Sequence, residues 1–251
     1  MKTIKLFGIL LLTAMTAFST VSCGDDDDKT LRPSGSGSGG SGTAAVSSCP
    51  DNNHPHAVDL GLPSGTKWAC CNVGERTPVG IGLFFAWGET TGYALGSGHK
   101  FNWGNYKWCV GSDRDKITKY NIDSWRFDNP YYDGKTRLES ADDAAHVNWG
   151  GSWKTPNDTQ MQELLDNTTH KSTIVNGVKG RLMTSTKNGK RIFLPCTTET
   201  TNYMTSDLYG VTSYACKYIG VGYGVESSVI RTEILHSFTD RFNPFLVRPV
   251  R

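Results

Sequence analysis

The chain has 251 residues, a mean hydropathy of −0.40 and nearly balanced charge, with 26 Lys and Arg against 24 Asp and Glu. That balance offers no basic patch for a nucleic-acid partner, so none is expected. The length suits one ordinary domain with a real core behind a short leader.

The leader comes first. Lys2 and Lys5 precede Leu6, Phe7, Ile9, Leu10, Leu11 and Leu12, and small residues then run up to Cys23. This pattern predicts a secretory signal over residues 1–22, too short to span a bilayer. Ser22 before Cys23 resembles the lipobox of bacterial lipoproteins, with Thr20 where those motifs carry Leu. The resemblance implies cleavage there and acylation of Cys23. Four aspartates follow at 25–28; adjacent like charges repel and stay solvated, so they begin a tether, residues 23–47, whose Gly- and Ser-rich stretch has no apolar face to bury. A cysteine followed closely by acidic residues also resembles the surface-export signal of lipoproteins from Bacteroides-type bacteria. It implies a protein lipid-anchored in the outer membrane and facing the cell exterior.

The remaining residues, 48–251, read as mixed and loop-rich. Six cysteines are left, Cys49, Cys70, Cys71, Cys109, Cys196 and Cys216; an even count permits disulfides in an exported chain, but their connectivity is open. The alternative, metal binding, finds no C-x-x-C pair or His–Cys spacing, so no metal and no cofactor is expected. Cys70-Cys71 reads as one buried and one outward-facing thiol, and His54 and His56 as exposed at the domain entrance. "SADDAAHV" predicts a short helix with Ser140 and Asp143 at capping-box spacing. "TPNDTQMQELLDN" predicts a longer one, capped by Thr155, with Pro156 at its first position and Met161, Leu164 and Leu165 as the apolar stripe. "GVKGRLMTS" and "KRIFLP" flank Asn188-Gly189 and predict a hairpin with a tight turn.

The motifs "VDLGLPSGTKWACCNVG", "FFAWGET", "YKWC", "ITKY", "DDAAHVNWGGSWKTPND", "NGKRIFLP" and the terminal "VRPVR" follow one another in order. Together they resemble the Fibrobacter succinogenes major paralogous domain and its relatives in Bacteroides-type lipoproteins. The likeness is dense from Val58 to Pro195 and thins until Val247. It implies an α+β, C-type-lectin-like fold of the kind shared with formylglycine-generating enzymes: a small twisted antiparallel sheet, two helices and long loops. Trp68, Trp87, Trp149 and Trp153 are then core and loop-packing residues. Some relatives of this fold diversify their C-terminal region through retroelements. Two departures stand out: Asn202 to Ser206 replace the family's Tyr-Trp-Ser-Ser stretch, and Pro244 stands where a Gly often precedes the last strand.

No nucleophile elbow, zincin helix or phosphate-cradling loop is present, and no catalytic residue is expected. Asp142 and Asp143 are adjacent, and neighbouring helical residues point about 100 degrees apart, so a capping role outranks a paired-carboxylate one. The leading expectation is a surface-displayed binding or adhesion lipoprotein, its partner an external glycan or protein. Residues 197–243 interleave Tyr203, Tyr209, Tyr214, Tyr218 and Tyr223 with Gly, Ser and Thr, a composition like that of a paratope. Tyr209, Tyr214, Tyr218, Tyr223 and His236 are the candidate ligand residues, although "YACKYIGVGYGV" also reads as a period-2 strand with tyrosines packed inside. Arg248 is expected to pair with a carboxylate. The alternatives are a structural cell-surface or pilus-tip component contacting partner proteins, and an oxidative enzyme with Cys196 or Cys216 as its reactive thiol.

Overall fold

The computed structural model describes residues 47–125, 129–197, 200–222 and 237–251. These all belong to one compact unit, Gly40–Arg251; Cys23, the four aspartates and the rest of Met1–Gly39 lie outside the described residues. Among the described residues, two α-helices and eight strands in three small antiparallel sheets make a mixed α and β architecture. No helix among them is long and apolar enough to cross a membrane.

Strands β1 (Ala57–Val58) and β2 (Trp68–Ala69) form the first sheet, with Ala57 opposite Ala69. A 3-10 turn, Ser140–Asp142, leads into α1 (Ala144–Trp149). Here Asp143 is itself the N-cap, accepting from the Ala145 and His146 amides, so the expected Ser140–Asp143 capping box is not formed. Helix α2 (Asp158–Asp166) buries the expected stripe of Met161, Leu164 and Leu165. Its cap is Asn157, in a reciprocal capping box with Gln160, and not Thr155. Thr155 is drawn away because its amide and hydroxyl both donate to the buried Asp143 carboxylate.

The second sheet is β3 (Thr168–Val175), β4 (Val178–Ser185) and β5 (Arg191–Pro195), in that order. Its two Asn-Gly dipeptides make different turns. Asn176-Gly177 is the two-residue turn, both residues at positive φ, between the paired Val175 and Val178. The expected tight turn at Asn188-Gly189 is instead a four-residue loop: the Ser185 amide donates to the Lys190 carbonyl, and only Gly189 of the pair has positive φ. Ser185 Oγ explains the difference, since it accepts from the Lys187 and Asn188 amides while donating to the Leu60 carbonyl. Nothing crowds a Cβ at Gly189, so Gly189→Val tests backbone strain alone. It is expected to lower stability by about 1–3 kcal/mol in urea denaturation; an unmoved midpoint would show that the loop re-forms without a left-handed residue.

The third sheet joins β6 (Thr200–Leu208), β7 (Ala215–Gly222) and β8 (Phe238–Asp240). The C-terminal segment joins the first sheet to the third through its backbone. Phe245 exchanges backbone hydrogen bonds with Phe85, Leu246 bonds to Asn202 and Met204, and Val73 donates to Val247. Val250 then exchanges bonds with Lys154, and Arg251 with Lys67. Trp68 and Trp87 are fully buried, Trp153 nearly so, and Trp149 packs half-buried against the core, as the tryptophan reading expects.

Among the described residues, Arg248 meets no carboxylate. It is fully buried and donates to Asn72 Oδ1 (2.7 Å) and to the backbone carbonyls of Ala69 (3.1 Å) and Phe193 (2.7 Å). One guanidinium therefore ties the C-terminal segment to β2 and the residues just after it, and to β5.

Candidate functional site

The expected tyrosine face divides on inspection of its members. Tyr203 is fully buried, donating to the Pro195 carbonyl (2.8 Å), and Tyr218 packs half-buried against the core, tilted on Phe245. Burial runs almost unbroken along β6 and β7, so Tyr203 is wholly inside and Tyr218 is half-buried rather than freely exposed. Tyr223 and His236 lie outside the described residues. Tyr209 and Tyr214 remain near the surface. Tyr209 stacks on Phe238 with ring centroids 3.8 Å apart, and the Arg114 guanidinium sits 4.8 Å from the Tyr214 ring centre.

Those two tyrosines belong to a larger surface built by three segments, 110–133 (described except for residues 126–128), 209–214 and 237–241. Its anchor is a polar hub made of Asn121, Ser213 and Arg241. Ser213 Oγ accepts from the Ile122 amide (2.9 Å) and donates to Asn121 Oδ1 (3.2 Å). Arg241 is fully buried over the Trp87 ring and donates to the carbonyls of Ser213 (2.9 Å) and Lys119 (3.1 Å), while its own amide donates to the Tyr214 carbonyl. Asp133 clamps the first segment by accepting from the Tyr120 and Asn121 amides. On this frame the three segments carry exposed apolar side chains: Trp125 (69% exposed), Tyr131, Tyr132, Val211 (70%) and Phe238 (49%). Rigid loops with wet aromatic rings offer large contact area without ordering the backbone anew. Trp125, Tyr131, Tyr132 and Phe238 were not among the expected ligand residues; "SWRFDNPYYDG" is an aromatic-rich, Pro- and Gly-punctuated stretch that could have signalled the first three.

Beside the first segment, Asp142 is buried and collects Lys119, Lys107 and the Tyr120 hydroxyl. Burial pushes its carboxyl up, but hydrogen bonds from Lys119 and Tyr120 outweigh it and hold the carboxyl below the usual range. Asp142 thus holds the loop base, and Asp143 caps α1; their carboxylates serve different partners and do not act as a pair.

The cysteines read as reactive thiols are poorly placed for that work. Cys196 is buried, donates to the Val221 carbonyl, and burial pushes its thiol up to about 11. Cys216 is fully buried, and burial pushes its thiol up as well. An activated nucleophile needs the opposite shift.

A second cluster gathers where the chain enters the domain. Cys49, His54, His56 and Cys70 bring one ligand atom each within 4.8 Å of all the others. The expectation of exposed histidines fails here: both are half-buried, because β1 pairs with β2 and so sets His56, just before β1, opposite Cys70, just after β2. The Cys70 amide donates to the His56 carbonyl (3.0 Å), fixing that pairing. Cys70 and Cys71 are both fully buried, so neither faces outward. The segment carrying Cys49 is held by the first residue of β5, through bonds between Ser48 and Arg191. The Cys49 thiol is held well above its ordinary value, first by its hydrogen bond with Cys70 and then by burial. The Cys70 thiol, which the Cys49 bond pulls down, is pushed up to about 11 by Cys71 and by burial. Sequence reading passed over this set because Cys49, His54 and His56 match no short ligand motif and only the β1–β2 pairing brings Cys70 to them.

Compared with protein-family models, curated proteins and solved structures, the chain finds no match.

Proposed function

We propose that the protein is a surface-displayed binding lipoprotein, anchored through Cys23 in an outer membrane, whose C-type-lectin-like domain presents the loop surface of residues 110–125, 129–133, 209–214 and 237–241 to an external glycan or protein. The observation that carries this reading is the hub: Asn121, Ser213 and Arg241 hold three separate segments in one place while Trp125, Tyr132, Val211 and Phe238 stay exposed on them. Large apolar side chains left exposed on neighbouring, hydrogen-bonded loops are the kind of surface that serves interaction. The lectin-like assignment draws support from the small antiparallel sheets, two short helices and long loops. The buried, high-pKa thiols of Cys196 and Cys216 favour binding over oxidative catalysis.

The full chain, purified in detergent, is to be applied to a glycan array and to mucin. Tyr209→Ala and Phe238→Ala, which remove the two halves of one stacked pair, are expected to weaken any binding found about tenfold or more with little change in melting. Ile174→Ala, exposed on β3, serves as the control and should bind normally. Binding that survives both loop variants would move the site elsewhere, and retention only by other envelope proteins would favour the structural-component reading. Cys23→Ser is expected to release the protein from membranes; a variant that still needs detergent would refute the anchor.

A further inference from the structure

We infer that Cys49, His54, His56 and Cys70 form a structural site for a thiophilic divalent cation, zinc by preference. The four ligand atoms already converge. His54 Nδ1 lies 3.0 Å from Cys70 Sγ and 3.3 Å from His56 Nδ1, and Cys70 Sγ lies 4.0 Å from His56 Nδ1. In a tetrahedral site with Zn–N of about 2.0–2.1 Å and Zn–S of about 2.3 Å, ligand atoms stand roughly 3.3–3.8 Å apart, so the set needs only small adjustments.

Three further features fit a cation. His56 Nε2 lies 3.0 Å from Asp51 Oδ1, which places the ring proton on the carboxylate side and leaves the Nδ1 lone pair aimed at the cluster. A carboxylate behind a ligating imidazole is the usual support of such a site. Two imidazoles and two thiolates form a neutral unit with a dication, which suits a half-buried position and selects zinc over calcium or magnesium. An open cleft of about 480 Å³, lined by Cys49, Asp51, His54, Arg76 and Val79, gives the ion a way in.

The competing chemistry is a Cys49–Cys70 disulfide. It would account for two of the four residues and leave two ring nitrogens facing each other at 3.3 Å with no role for Asp51. The four protein ligands complete a tetrahedral shell and leave no open position for substrate, so the ion is structural. It fastens residues 49–56, the strand-less entry to the domain, onto the end of β2. On binding, each thiol gives its proton to solvent.

The test uses the full chain in detergent, purified without metal-affinity resin and kept reduced. Elemental analysis is expected to find one zinc per chain, and cobalt(II) exchanged into the protein should show the visible bands of a tetrahedral ion together with thiolate charge transfer. Chelator should lower the melting temperature of the wild type and leave that of His54→Ala/His56→Ala unmoved. Asp51→Asn, at an exposed residue, is expected to fold normally and bind zinc roughly ten- to a hundredfold more weakly. An intact Cys49–Cys70 disulfide in protein isolated under non-reducing conditions would overturn the inference. So would zinc or cobalt bound equally by the double histidine variant, or a reduced wild-type chain that takes up neither ion.

Discussion

Arg248→Ala is expected to destabilise the domain by about 3–5 kcal/mol, more than any other single change considered. The side chain is fully buried, and its three acceptors, Asn72 Oδ1 and the carbonyls of Ala69 and Phe193, come from two separate parts of the chain. Truncation strands all three in a site that water does not reach, at about 1–3 kcal/mol for each buried unsatisfied group. Part of that loss is offset because no charge need then be buried. Arg248→Lys separates charge from geometry: one ammonium cannot meet acceptors spread around a planar fork, so it should fall close to the Ala variant. A lysine variant that melts like the wild type would show that the charge, and not the fork, matters. Urea and thermal unfolding of the three proteins decide it.

Asp143→Ala should lower stability by about 3 kcal/mol, combining a lost helix cap of about 1 kcal/mol with unpaired donors on Thr155. The Asp143 carboxylate accepts from the Ala145, His146 and Thr155 amides and from the Thr155 hydroxyl, all within 3.2 Å, and is almost fully buried. It therefore joins the start of α1 to the approach to α2. Asp143→Asn keeps one acceptor but turns an amino group toward donors, and about half the loss is expected. Thr155→Val removes only the hydroxyl. A double-mutant cycle on Asp143 and Thr155 should return a coupling of about 1 kcal/mol, and additive losses would show that the two sites are independent.

What could be read in the chain was local. The α2 stripe and the β4–β5 hairpin follow from spacing that neighbours in sequence impose. The cap of α2 slipped by two residues because Thr155 is claimed by Asp143 across the helix pair, a partner that its own surroundings do not reveal. Asn176-Gly177 carried the same turn signal as Asn188-Gly189, and what separates them is Ser185 reaching to Leu60. Arg241 and Arg248 were harder still, since their acceptors are mostly backbone carbonyls, which have no sequence signature. The Cys and His cluster depends on the register of two two-residue strands, too short to leave a periodic pattern. Among the tyrosines, composition could not tell buried from half-buried: Tyr203 lies wholly inside while Tyr209 and Tyr214 keep part of their rings at the surface, a difference that had to be seen.

The C-terminal segment imposes an order on folding. Residues 245–251 bond to partners at positions 67, 73, 85, 154, 202 and 204, and they bring the guanidinium of Arg248 with them. Contacts of such long sequence separation form slowly, because the loop they close must first lose its freedom. Docking of this segment, which joins the first sheet to the third, is therefore expected to come late when the unfolded domain is refolded from urea.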